Sequence, residues 1–146
     1  MQRDHREQLS LSWQANADAW TAAVRERRIE SRHLVTDAAI VQAILALAPT
    51  RVLDLGCGEG WLCRGLAEHG IEAVGVDASA PLIAVARQAG CPRAQYRVCG
   101  YAELESQAAQ LGRFDLLVCN FALLEDPLAP TLNALHGLLA AGGHLL

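Results

Sequence analysis

The sequence predicts an α/β domain built on a parallel sheet and preceded by helices. Three observations predict it. From residue 50 onward, short apolar runs alternate with longer stretches of helical periodicity. A glycine-rich bend, Gly56-Cys57-Gly58-Glu59-Gly60, joins the first apolar run to the first of those helical stretches. Hydrophobic residues make up 52% of the 146, enough for one domain with its own core.

The N-terminal region, residues 1–49, reads as helical. Trp13, Ala17, Trp20 and Val24 recur at three- and four-residue spacing, one face of a helix. A second helix starts at Thr36 or Asp37, either of which can cap it, and buries Ile40, Ile44 and Leu47. Pro49 lies just past its end.

Residues 50–146 form the α/β unit. Arg51 to Leu55 is the first strand, and Trp61 to His69 a helix closed by Gly70. Ala73 to Val76 is the second strand, ending at Asp77. Ser79 caps the next helix, which tolerates Pro81 in its first turn. Tyr96 to Cys99 is the third strand, and Glu103 to Leu111 a helix closed by Gly112. Phe114 to Cys119, apolar throughout except Asp115, is a fourth strand buried on both faces. Leu128 to Leu139 is a helix, and Gly142-Gly143 turn the chain into a last strand, His144 to Leu146. Three residues make a short strand. The expectation is therefore a fragment, or a natural truncation, of a larger domain, with an open edge prone to self-association.

Composition removes several function classes. The net charge is −4, so no nucleic-acid footprint is expected. All twelve basic residues are Arg, which excludes the Lys of a phosphate-binding P-loop. The five Cys form no C-x-x-C pair, which disfavours a metal site and fits small buried hydrophobes in a reducing cytoplasm. No apolar run approaches the roughly 20 residues a bilayer span needs. The polar N-terminus carries no signal-peptide core.

The bend carries the chemistry. Its glycines permit a tight turn and a close backbone approach to a ligand, and the helix after it offers free N–H groups. A dinucleotide fingerprint, G-x-G-x-x-G, needs a third glycine at position 61 or 63, where Trp61 and Cys63 stand. Asp54, two residues before Gly56, would repel a pyrophosphate but suits an ammonium group. S-adenosylmethionine carries an ammonium and a sulfonium, and no phosphate. Asp77, at the end of the second strand, suits a pair of ribose hydroxyls; the alternative is a turn or helix-capping carboxylate before Ser79.

Residues 51–146 resemble the class I, Rossmann-like, S-adenosylmethionine-dependent methyltransferases. VLDLGCGEG is similar to their first motif and VGVDAS to their second. FDLLVCNFALLED resembles the strand-four motif, and LLAAGGHLL the start of strand five. The resemblance implies a doubly wound sheet of order 3-2-1-4-5, here without strands six and seven. It implies that Asp54, Gly56, Cys57, Gly58 and Gly60 line the methionine end of the cofactor. Asp77 would hold the ribose and Ala78 pack on adenine. Gly100-Tyr101-Ala102 replaces a frequent Gly-Asp-Ala, so Tyr101 would stack or donate a hydrogen bond, and Ala102 would serve through its backbone. Asn120 and Phe121 would lie near the transferred methyl group. Asn120-Phe121-Ala122-Leu123 is not the Asn-Pro-Pro-Tyr type of many amide and exocyclic-amine methylating enzymes. The expectation is methyl transfer to a small-molecule acceptor by in-line displacement, with no metal and no identified base. The alternative is a non-catalytic, partner-binding module. Trp20, Arg28 and Arg32 are candidates for a lid whose Arg holds the methionine carboxylate. Of the histidines, His33 is expected nearest the site.

Overall fold

The computed structural model describes residues 5–124 and 126–146. Five strands form one sheet: β1 (Arg51–Leu55), β2 (Glu72–Asp77), β3 (Ala94–Val98), β4 (Phe114–Val118) and β5 (Leu139–Leu145). Their order is β3-β2-β1-β4-β5, all parallel, as the resemblance implies. Among the described residues seven α-helices accompany them: α1 (His5–Ala15), α2 (Ala17–Arg25), α3 (Asp37–Ala46), α4 (Trp61–Glu68), α5 (Ala80–Gln88), α6 (Leu104–Leu111) and α7 (Ala129–Leu138).

Alternation along the strands sends neighbouring side chains to opposite faces. Val52, Ala73 and Leu116 face one way and pack with Ile44 of α3, Leu62 and Leu66 of α4, and Ile83 of α5. Leu53, Val74 and Leu117 face the other way and pack with Leu104 and Leu111 of α6 and Leu135 and Leu138 of α7. Two covered faces explain why the strands are apolar runs rather than alternating ones. Chain order reverses between β1 and β4. A cleft opens there at the carboxyl ends of the strands, the usual ligand position in such sheets.

Several element ends differ from expectation. The N-terminal stripe is two helices, broken at Asn16, whose side chain donates to the Ser12 carbonyl at 2.8 Å. The break turns α2 against α1, with Trp13 and Trp20 edge to face at 5.4 Å. A π-helical turn, Arg32–Thr36, precedes α3. The last strand begins at Leu139 rather than His144, directly after α7. Gly142-Gly143 do not turn the chain into the strand. They lie in an irregularity where Phe114 pairs with Leu139 and Leu116 with His144. Ser79 does cap α5, accepting from the Leu82 amide.

Candidate functional site

The bend after β1 is fastened to β2. The Gly56 and Cys57 amides both donate to the Val76 carbonyl, at 2.8 and 3.0 Å. Gly56 has φ +71°, in the left-handed region that favours glycine. A Cβ on Gly56 would also sit 2.5 Å from the Ala122 Cβ, so the bend and the loop after β4 touch only because glycine is there. A Cβ on Gly58 would meet the Trp20 indole nitrogen at 3.4 Å, which places α2 over the bend.

Asp77 closes the same corner. Its Oδ2 accepts the Gly58 amide at 2.9 Å and its Oδ1 the Ser79 amide at 2.8 Å. Asp77 is thus the turn-capping carboxylate of one reading, and it also lines the cleft of the other. Each oxygen keeps a lone pair for a further donor. Burial pushes its carboxyl above the usual range, and the two amides oppose that shift.

The cleft is a cavity of about 790 Å³, within the size of ordinary small-molecule sites. Gly56, Cys57 and Gly58 form its floor, with Asp77 and Ala78 at the end of β2. Gly100, Tyr101 and Ala102 enter from the loop after β3, and Asn120 and Phe121 from the loop after β4. The Tyr101 hydroxyl donates to the Ala122 carbonyl at 2.7 Å and so bridges those two loops. Phe121 has φ +55° and is 75% exposed. A bulky residue held there is strained, and such outliers gather at ligand sites.

Two of the expected residues stand elsewhere. Asp54 and Gly60 do not line this cavity. Asp54 is 3% exposed beneath the bend, where the Cys63 thiol donates to its Oδ2 at 3.8 Å. Burial pushes its carboxyl up to about 7, and the negative charge of Asp77 adds to that. Gly60 turns the chain into α4 with φ +87°, and its carbonyl accepts the Tyr96 hydroxyl at 3.2 Å. The reason is strand alternation: Leu55 and Asp54 point to opposite faces, and the bend covers the Asp54 side.

The N-terminal arginines separate cleanly. Arg28 pairs with Glu26 on an exposed surface and does not reach the cavity. Arg32 lines it, 4.9 Å from the Trp61 ring and 5.6 Å from the Trp20 ring, with its Nε donating to Asp37 at 3.0 Å. His5 of α1 is on the wall, whereas His33 lines a neighbouring cavity.

Sequence reasoning passed over Glu59. Its side chain is fully buried. Its Oε2 accepts from Arg25 Nε at 3.1 Å and from an Arg64 terminal nitrogen at 2.7 Å, tying α2 and α4 to the bend. The only available signal was a charged residue between two glycines with an Arg five positions on.

Residues 52–143 match the model of a family described as methyltransferase domain. The chain belongs to the methyltransferase domain family. Among the methyltransferases it resembles, a ubiquinone biosynthesis O-methyltransferase of Xanthomonas oryzae pv. oryzae is 37% identical over 110 residues, 72% of this chain and 45% of that protein. The Marinobacter nauticus protein of the same name is 33% identical over 107 residues, 69% of this chain and 44% of that protein. The chain therefore spans a little under half the length of these relatives. A TehB-like SAM-dependent methyltransferase from Corynebacterium glutamicum superposes with a TM-score of 0.69 at 26% identity, covering 90% of this chain and 71% of that one. Magnesium protoporphyrin IX methyltransferase of Synechocystis, solved with bound SAM, superposes at 0.75 with 19% identity, covering 94% and 73%. That likeness is one of fold.

Proposed function

We propose that this methyltransferase domain binds S-adenosylmethionine in the 790 Å³ cleft and takes part in transferring its methyl group to a small-molecule acceptor. The observation that carries the proposal is the corner made by Gly56, Gly58 and Asp77: a glycine backbone that lines the cleft, beside a carboxylate that retains acceptor capacity. Asp77 would accept the ribose hydroxyls. Ala78 and Ala102 would flank adenine. Gly56, Cys57 and Gly58 would approach the methionine end through their backbone. Arg32 would take the methionine carboxylate, since two Trp rings and Asp37 already fix its plane. Asp54 would act from beneath the bend rather than by direct contact, and Gly60 by shaping the turn.

Bound there, the cofactor supplies an electrophilic methyl on a sulfonium, a leaving group that needs no acid. The protein's part is alignment, which can contribute about 7–11 kcal/mol when two reactants are held in line. Asn120 and Phe121 would face the acceptor, and the bridge from Tyr101 to Ala122 would hold their loop in place. The names of the two bacterial relatives favour an oxygen acceptor. Five free thiols support a cytoplasmic setting.

The test is titration calorimetry with S-adenosylhomocysteine. Saturable heat with one site per chain is expected, with a weaker affinity in Asp77→Ala. Absence of heat in the wild-type chain, together with no ligand retained through purification, would overturn the proposal. Binding without turnover of any phenolic or carboxylate acceptor by the full-length protein would favour the non-catalytic module.

A further inference from the structure

A second cavity lies behind the Trp61 ring. Its volume is about 340 Å³, and Arg25, Arg27, Arg32 and His33 contribute to its wall. Asp37 is the one acidic residue among its described lining residues. The surrounding charges do not balance. Arg32 is paired through its Nε to Asp37, and Arg25 through its Nε to Glu59, which Arg64 also engages. Three guanidiniums thus share two carboxylates, and the cavity wall itself carries three Arg against one acid, Asp37. Both pairings of the wall arginines use the Nε edge, and the Arg27 side chain has no partner among the described residues. Arg27 also has φ +55°, so the backbone after α2 turns sharply where this side chain enters the wall.

We propose that this cavity is a binding site for a small, doubly charged oxyanion of the phosphate-monoester class. An excess of two positive charges matches a dianion, and a guanidinium presents donors in a fork that fits two oxygens of one group. The indole of Trp61 and the methyl groups of Ala23 and Ala38 complete the wall. The site does not depend on the methyl-transfer reading: Arg27 and His33 line this cavity and not the larger one. Arg32 and Trp61 line both, so an anion here would stiffen the arginine that faces the main cleft.

The test is thermal melting of the full chain in inorganic phosphate, against sodium chloride at matched ionic strength and without cofactor. A saturable rise in melting temperature is expected with phosphate and not with chloride. In Arg27→Ala the half-saturating phosphate concentration should rise at least about tenfold, the loss of one bidentate contact. His33→Ala should raise it by a smaller factor. A phosphate effect equal to that of chloride, or one unchanged in both variants, would overturn the proposal. Abolition of the phosphate effect by saturating S-adenosylhomocysteine would also overturn it, because the cavity would then be the far end of the cofactor site.

Discussion

The Asp77 carboxylate accepts the Gly58 amide across 2.9 Å, which locks the end of β2 to the bend after β1. One residue therefore shapes the bend and faces the cleft. Asp77→Ala should weaken S-adenosylhomocysteine binding about tenfold to a hundredfold, the range for losing a hydrogen bond to a charged group. Asp77→Asn should fall between, because an amide oxygen can still accept one N–H. Calorimetric titration of the three proteins checks the order.

Arg28 and Arg32 look alike in the sequence and differ in the structure. Arg32→Ala should raise the dissociation constant for S-adenosylhomocysteine at least about tenfold, as expected for loss of a bidentate contact to a carboxylate. Arg28→Ala should leave it unchanged, since its partner is the exposed Glu26. Equal effects from both variants would refute the role given to Arg32.

Gly60→Ala tests the packing under the bend. Its Cβ would lie 2.7 Å from the Tyr96 hydroxyl and 2.8 Å from the ring, at a backbone φ of +87°. Overpacking and left-handed strain together should cost about 2–4 kcal/mol. Urea unfolding should show a lower midpoint with an unchanged slope.

Asp54 predicts a pH signature. Its folded carboxyl titrates near 7, against an ordinary 3.8. The folded state thus holds a proton that the unfolded state releases. This residue's contribution to stability is fully retained below about pH 3.8, declines as pH rises, and is lost above about 7. The decline is at most about 1.4 kcal/mol per pH unit. Asp54→Asn removes the titrating group, so its unfolding free energy should fall less than that of the wild type between those limits. Parallel curves from urea titrations at several pH values would contradict the assignment.

Arg25 and Arg64 share Glu59, and they should not be equivalent. The Arg64 side chain is 25% exposed and also donates to the Glu59 carbonyl, whereas that of Arg25 is 45% exposed. Arg64→Ala should cost about 3 kcal/mol, because a fully buried carboxylate loses its shorter contact. Arg25→Ala should cost about 1 kcal/mol or less. Chemical denaturation of both variants measures the difference.

Much of the site was legible because it is local. The positive φ of Gly56 and Gly58 and the turn from Asp77 to Ser79 are local features written in short motifs, although the bond from Gly58 to Asp77 spans 19 positions. Asp54 was legible as an acid near the bend, but not its depth. Whether a side chain at the end of β1 faces the cleft or lies beneath the bend depends on which face α4 covers. Glu59 escaped notice because its partners stand 34 positions before it and five after, and only packing shows that they meet.

The amino-acid sequence by itself determined the alternation of strands and helices, the left-handed bend, the capped start of α5 and membership of the methyltransferase domain family. The first three follow from periodicity and from residue types that only certain backbones accept, and the family from the match of residues 52–143. The tertiary structure alone decided which arginine reaches the cleft, that Asp54 lies under the bend, and that a second, arginine-lined cavity exists. The place of Asp54 depends on which face of β1 the bend and α4 cover; the other two depend on how α2 and the turn before α3 settle beside α4. That docking is set by contacts between residues far apart in the chain, so no local pattern encodes it.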